Sequence, residues 1–172
     1  MADLTFLVAT PADIPLLQRL ADQIWRAHYP AIISIEQIDY MLERMYAADV
    51  IEQELRAGTC WEMIRQGDEV VGFLSWTHEP AAARLKLHKL YLQVDRHGQG
   101  VGQASLCHLM EVAAGLGVRE VSLYVNKNNR KAIRAYQRAG FTVAESVVTQ
   151  IGGGFAMDDY RMTASPGRAR PA

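Results

Sequence analysis

Apolar and polar positions follow two periods along this chain, and the changes of period mark its elements. Leu4 to Ala9 reads as a short strand. Thr10 as N-cap, Pro11 at the first helical position and Asp13 in the first turn then open a helix. Ile14, Leu17, Leu20, Ala21, Ile24 and Trp25 recur at three- and four-residue spacing, the stripe of an amphipathic helix that Pro30 closes. Ser34, with Glu36 and Gln37 behind it, opens a second helix with Ile38, Met41, Leu42 and Met45 on one face. A third covers Ala48 to Arg56 and stops at Gly58. From Cys60 the period falls to two. Cys60 to Arg65 and Val70 to Thr77 read as a hairpin around Gln66-Gly67-Asp68, and Arg84 to Val94 as a further strand. Val101 to Leu116 is a helix with Leu106, Leu109, Met110, Ala113 and Leu116 inward, Glu120 to Val125 a strand, and Asn129 to Ala139 a short helix ended by Gly140. Phe141 to Val148 and Phe155 to Met162 read as strands joined through Gly152-Gly153-Gly154. This order predicts a mixed α/β fold around one central sheet.

Length and charge narrow the picture. The chain has 172 residues, which suits one domain over 1–163, and its last residues, 164–172, read as a disordered tail. Eighteen Lys and Arg stand against nineteen Asp and Glu, a net charge of −1 that argues against a nucleic-acid binder held by bulk charge. Cys60 and Cys107 are too few for a disulfide framework. The first residues show no signal-peptide pattern, and no run approaches the ~18 apolar residues of a membrane span. The expectation is a soluble, cytoplasmic protein with no membrane partner. His28, His78 and His108 lack metal-ligand spacing, so no metal is expected.

Two segments carry chemistry. In Leu90 to Gly102 a strand runs into a turn where Gly98, Gly100 and Gly102 alternate, ahead of a helix. Bare backbone and a helix N-terminus together suit a phosphate or pyrophosphate, although a plain flexible connection would look the same. Gln103 stands where a dinucleotide fingerprint needs its last glycine, and no Walker lysine follows. In the second segment Asn129 and Tyr136 are seven residues apart and share a helix face with Ala132 between them. That face can offer an amide and a phenol to one ligand. It can equally consist of a helix cap and a packed ring.

Together the two segments resemble the GNAT superfamily of acetyl-CoA-dependent N-acetyltransferases. His97, Gly100 and Gly102 fall on its pyrophosphate motif, Arg/Gln-x-x-Gly-x-Gly/Ala, with His97 a departure from Arg or Gln. Asn129, Ala132, Tyr136, Gly140 and Phe141 match its Asn-x-x-Ala-x-x-x-Tyr-x-x-x-Gly-Phe run without a gap, and the closing GGGFAMDDYRM is similar to the last strand of many bacterial members. The resemblance implies a mostly antiparallel twisted sheet with splayed middle strands, flanked by helices. It implies that acetyl-CoA lies between Leu87 to Val94 and Val121 to Val125. The pantetheine arm would follow the backbone of Leu90, Tyr91 and Leu92, and the pyrophosphate would rest on His97, Gly98, Gln99, Gly100, Val101 and Gly102. Asn129 would position the cosubstrate and Tyr136 would protonate the leaving thiolate. An amine attacks the thioester directly in such enzymes, so neither cysteine is needed as nucleophile. His88, four residues before Leu92 on the same strand face, is the candidate base, a position similar to that of a histidine base in the arylalkylamine branch.

The acceptor is read as a primary amine, on a small molecule or at a peptide N-terminus or lysine. Trp25, His28 and Tyr29 are candidates to line its pocket, and Trp25 fits the helix core equally well. A sensor module of the same fold, binding an acyl-CoA or an amine without turnover, is the alternative, and a homodimer is left open.

Overall fold

A computed structural model describes residues 4–168. Its strands are β1 (Leu4–Val8), β2 (Cys60–Gln66), β3 (Glu69–Glu79), β4 (Arg84–Leu92), β5 (Glu120–Asn126), β6 (Thr142–Gly152) and β7 (Phe155–Ala164). Its helices are α1 (Ile14–His28), α2 (Ile35–Tyr46), α3 (Ala48–Arg56), α4 (Val101–Gly115) and α5 (Arg130–Arg138). The strands hydrogen-bond in the order β1-β2-β3-β4-β5-β7-β6. The element order and the mixed α/β class are those expected from the pattern. Among the described residues no helix is long and apolar enough to cross a membrane.

The chain divides into two compact units. One runs to Trp76 and takes in Lys89–Gln99; the other holds Thr77–His88 and the chain from Gly100 onward. In the first, Thr10 N–H donates to the Asp13 carboxylate at 2.8 Å, and a 3-10 turn over Pro11–Asp13 leads into α1. Ser34 Oγ caps α2 by accepting from the Gln37 N–H at 3.1 Å. The apolar stripe of α1 buries Leu17, Leu20, Ala21, Ile24 and Trp25, in a core that includes Ile38, Ile51, Trp61, Ile64 and Phe73. Each such side chain contributes roughly 1.5–3 kcal/mol by leaving water.

In the second unit β4 pairs in parallel with β5 over only four positions, Arg84↔Glu120 to Leu87↔Leu123. β5 continues antiparallel to β7 as far as Asn126↔Asp159. The core here holds Leu85, Leu87, Leu106, Leu109, Met110, Val121, Leu123, Phe141 and Met162.

Several boundaries differ from the pattern; β6, for one, runs over Thr142–Gly152 rather than Phe141–Val148. β4 stops at Leu92 rather than Val94, because the Gln93 N–H turns to the Val71 carbonyl at 2.9 Å and Val94–Arg96 wind into a 3-10 turn. Leu116 is 40% exposed rather than inward, since α4 ends one residue before it at its C-cap. β7 runs through Ala164, and Pro166–Arg168 form a 3-10 turn against α4 with Pro166 buried, so residues 164–168 of the expected tail are folded. The rest of that expectation lies outside the described residues.

Candidate active site

The glycine turn is built from hydrogen bonds on both sides of its bare segment. Arg96 N–H donates to the Gln93 carbonyl at 3.0 Å, and Gln99 Nε2 to the Asp95 carbonyl at 2.6 Å. Arg96 is itself taken up by Glu69 at 2.5 Å, so this arginine serves the turn rather than a ligand. Gly98 and Gly100 lie at φ +80° and +84°, where a side chain is strained, and a Cβ at either would meet nothing within 4 Å. The space above the turn is therefore open. Gly100 is the N-cap of α4, and among the described residues no side chain caps that helix. Its first internal bond is Ala104 N–H to the Gly100 carbonyl, 3.0 Å, which leaves the N–H groups of Val101, Gly102 and Gln103 without helical acceptors. Such a cluster, with the partial positive charge of the helix end, fits a diphosphate.

His97, the departure from the motif, has its Nε2 3.1 Å from the Leu92 carbonyl, and its ring stands edge-on to His28 with centroids 6.1 Å apart. Leu92 is buried and Leu90 half-buried, while the Tyr91 side chain joins an aromatic cluster with Trp25, Tyr29 and Phe73. What Leu90–Leu92 can offer a ligand is therefore mostly backbone. Trp25 is 3% exposed and donates through Nε1 to the Tyr46 hydroxyl at 3.2 Å, which makes it a core residue; His28 and Tyr29 are half-buried. Lys89, pointing away from His88 by strand alternation, is buried against Glu54 at 3.2 Å and over the Trp61 ring at 4.5 Å. Burial pulls its ammonium pKa down and Glu54 pushes it back up.

In the second unit α5 presents Asn129 and Tyr136. Asn129 is buried at the N-cap, and its Oδ1 accepts from the Ala132 N–H at 3.3 Å. The Tyr136 ring, half-buried, packs edge-on to Phe141 with centroids 5.9 Å apart. Gln103 Nε2 donates to the Ala135 carbonyl at 2.9 Å, tying the first turn of α4 to the helix that carries Tyr136. His88 is exposed on β4, with Nε2 hydrogen-bonded to Thr77 Oγ1. The fold thus brings Asn129, Tyr136, Gln103 and the start of α4 together.

Burial, with a smaller contribution from Glu62, pushes the Cys60 thiol up to about 11, so at neutral pH it carries almost no thiolate. Asp159 on β7 escaped the sequence reading. It is 5% exposed, and among the described residues its Oδ1 meets no hydrogen-bond donor. Burial first, then Asp158, raise its carboxyl to about 6, with Lys127 opposing. The signal for it was present: adjacent aspartates in a strand must point to opposite faces.

A group whose folded pKa lies above its unfolded value near ~3.9 lends stability below that value and loses it as pH rises through about 6. Asp159→Asn should therefore be more stable than the parent at pH 8, by about 1–2 kcal/mol after allowing for nearby solvent. The difference should vanish near pH 4. Paired thermal melts at the two pH values check this; a variant less stable at pH 8 contradicts it.

Comparison with known proteins gives four findings. The model of the acetyltransferase (GNAT) family matches residues 18–141. The mycothiol acetyltransferase of Corynebacterium glutamicum is 34% identical over 82 residues, 48% of this chain but only 28% of that protein. The peptidyl-lysine N-acetyltransferase YjaB of Salmonella typhimurium is 29% identical over 123 residues, 70% of this chain and 73% of that protein. Among solved structures, the PaiA N-acetyltransferase of Thermoplasma acidophilum in complex with coenzyme A superposes with a TM-score of 0.79 at 20% identity, covering 95% of this chain and 99% of that one.

Proposed function

From the premise that the chain belongs to the acetyltransferase (GNAT) family, we propose that it transfers the acetyl group of acetyl-CoA directly to a primary amine. The observation that carries this is the open glycine turn at the uncapped start of α4, in a chain that matches the family along residues 18–141. In this reading the turn from His97 to Gly102 holds the pyrophosphate through backbone N–H groups. The backbone of Leu90–Leu92 holds the pantetheine arm, and an N–H of the same strand polarises the thioester carbonyl. Asn129 keeps α5 in place, and Tyr136 gives its proton to the departing sulfur. No acyl-enzyme forms, a view supported by the suppressed ionisation of Cys60. Two unpaired cysteines suit a reducing compartment, so the cytoplasm is its proposed place.

The name of the Salmonella typhimurium relative places that protein's acceptor on a peptidyl lysine, and the acceptor here is proposed only as a primary amine. A panel of polyamines, amino acids, aminoglycosides and short peptides with a free-thiol readout tests the reading. Thiol release that depends on an amine supports it; none with any member contradicts it.

His88 is the proposed proton acceptor, oriented by Thr77. Histidine side chains titrate near ~6.5, which suits a base working at neutral pH. His88→Gln should flatten the acid limb of kcat/KM and lower the rate most for amines of high pKa. An acid limb that survives the substitution and tracks acceptor pKa would remove His88 from the reaction.

A further inference from the structure

Lys89 is the only buried cation among the described residues, and the proposed chemistry does not use it. Burial along β4 alternates, with Leu85, Leu87 and Lys89 inward. Desolvating an ion pair at such a position costs more than burying two apolar side chains of similar size, so its presence calls for an explanation. The ammonium is held from three elements at once. Both oxygens of Glu54, on α3, lie 3.2 Å from it. It stands over the Trp61 ring of β2 at 4.5 Å and the Tyr46 ring at the end of α2 at 5.7 Å. These partners are fixed in turn. Trp61 Nε1 donates to Glu54 Oε2 at 3.0 Å. Tyr46 accepts from Trp25 Nε1 through its hydroxyl and from Gln18 Nε2 through its carbonyl. Apolar contacts tolerate sliding, whereas a cation with two oxygens and two ring faces accepts one position.

That position matters because of where it falls along β4. The parallel ladder with β5 ends at Leu87↔Leu123, and the strand passes into the first unit between His88 and Lys89. Beyond Leu87 that ladder holds it no longer. Two contacts with β3 fix the far end of Leu90–Leu92. Gly72 comes so close that a Cβ there would run into the Tyr91 carbonyl oxygen, and the Gln93 N–H donates to the Val71 carbonyl at 2.9 Å. Lys89 fixes the near end.

We propose that Lys89 is a positioning residue for acetyl transfer: clamped by Glu54, Trp61 and Tyr46, it sets the place of the Leu90–Leu92 backbone whose N–H polarises the thioester carbonyl. This rests on the acetyltransferase reading and on that stretch carrying the polarising N–H. The lysine charge itself never reaches the substrate. A donor misplaced by about 1 Å slows the reaction, while the cosubstrate keeps its hold through the pyrophosphate at the glycine turn.

The test is the double variant Lys89→Met/Glu54→Gln, which replaces the pair by two uncharged side chains of similar size and leaves Trp61 an acceptor. It should melt near the parent, since a buried ion pair exchanged as a whole costs little stability. Its kcat with an amine that scores in the panel should fall by about tenfold, with KM for acetyl-CoA within about twofold of the parent's. Glu54→Asp keeps both charges and shortens the clamp by one carbon. It should show the same split in smaller measure, about threefold in kcat, and it decides the matter should the double variant not fold. A folded variant that turns over like the parent makes the pair a matter of packing and overturns the proposal, as does a loss confined to KM. Either result leaves the acetyltransferase reading intact. Failure of the parent with every amine overturns that reading itself.

Discussion

Tyr136→Phe is expected to lower kcat by about 10²–10⁴-fold while acetyl-CoA binds nearly as it does to the parent. The substitution keeps the ring that packs on Phe141 and removes only the hydroxyl. The supports of α5 stay in place: the Asn129 cap and the bond from Gln103 to the Ala135 carbonyl both lie outside the change. A fall in turnover without a fall in affinity is the mark of an interaction made in the transition state alone. Initial rates over a range of acetyl-CoA and amine, with affinity measured calorimetrically, decide it. Unchanged turnover would return Tyr136 to packing.

The second large effect concerns the turn. Gly100→Val is expected to abolish the stabilisation that acetyl-CoA gives the parent. A valine at φ +84° costs about 1–2 kcal/mol of strain, and its Cβ meets no neighbour, so the fold should survive. Its branches would fill the open space that the pyrophosphate needs. Ligand at about 100 times its Kd adds ~2.7 kcal/mol, which for a chain of this size is a Tm rise of about 5–10 °C. The parent should show that rise and Gly100→Val none. An equal rise in both would place the pyrophosphate elsewhere.

The fold was legible because its boundaries are set by local chemistry. Thr10-Pro11, Ser34, Gly58 and Gly140 act within a few residues of themselves, and the period of apolar positions does the rest. The glycine turn and the Asn129–Tyr136 face were legible for the same reason. What stayed hidden depends on distant pairs. Lys89 meets Glu54 thirty-five residues away, and nothing local distinguishes this lysine from one in water. The short parallel ladder of Arg84–Leu87 with Glu120–Leu123 needs a partner thirty-six residues on, so where those strands stop pairing cannot be read from either. Asp159 differs again. Alternation says that one aspartate of the pair turns inward, but whether a donor waits there depends on β5 and β6. At Asn129 the capping reading holds, since its Oδ1 accepts from the Ala132 N–H, and Tyr136 packs on Phe141 as a helix-face ring would.

Central to the account is that this chain moves an acetyl group from acetyl-CoA to an amine. Acetyl-CoA labelled in its acetyl group, incubated with the protein and a primary amine that scores in the panel, tests it most directly. Free CoA and labelled N-acetyl product are then counted together by mass spectrometry, alongside the intact protein. The account predicts one N-acetyl product for each CoA released, over many turnovers, with no label left on the protein. Binding of acetyl-CoA without product from any amine would make the chain a sensor module rather than an enzyme, and label retained on Cys60 or Cys107 would contradict direct transfer.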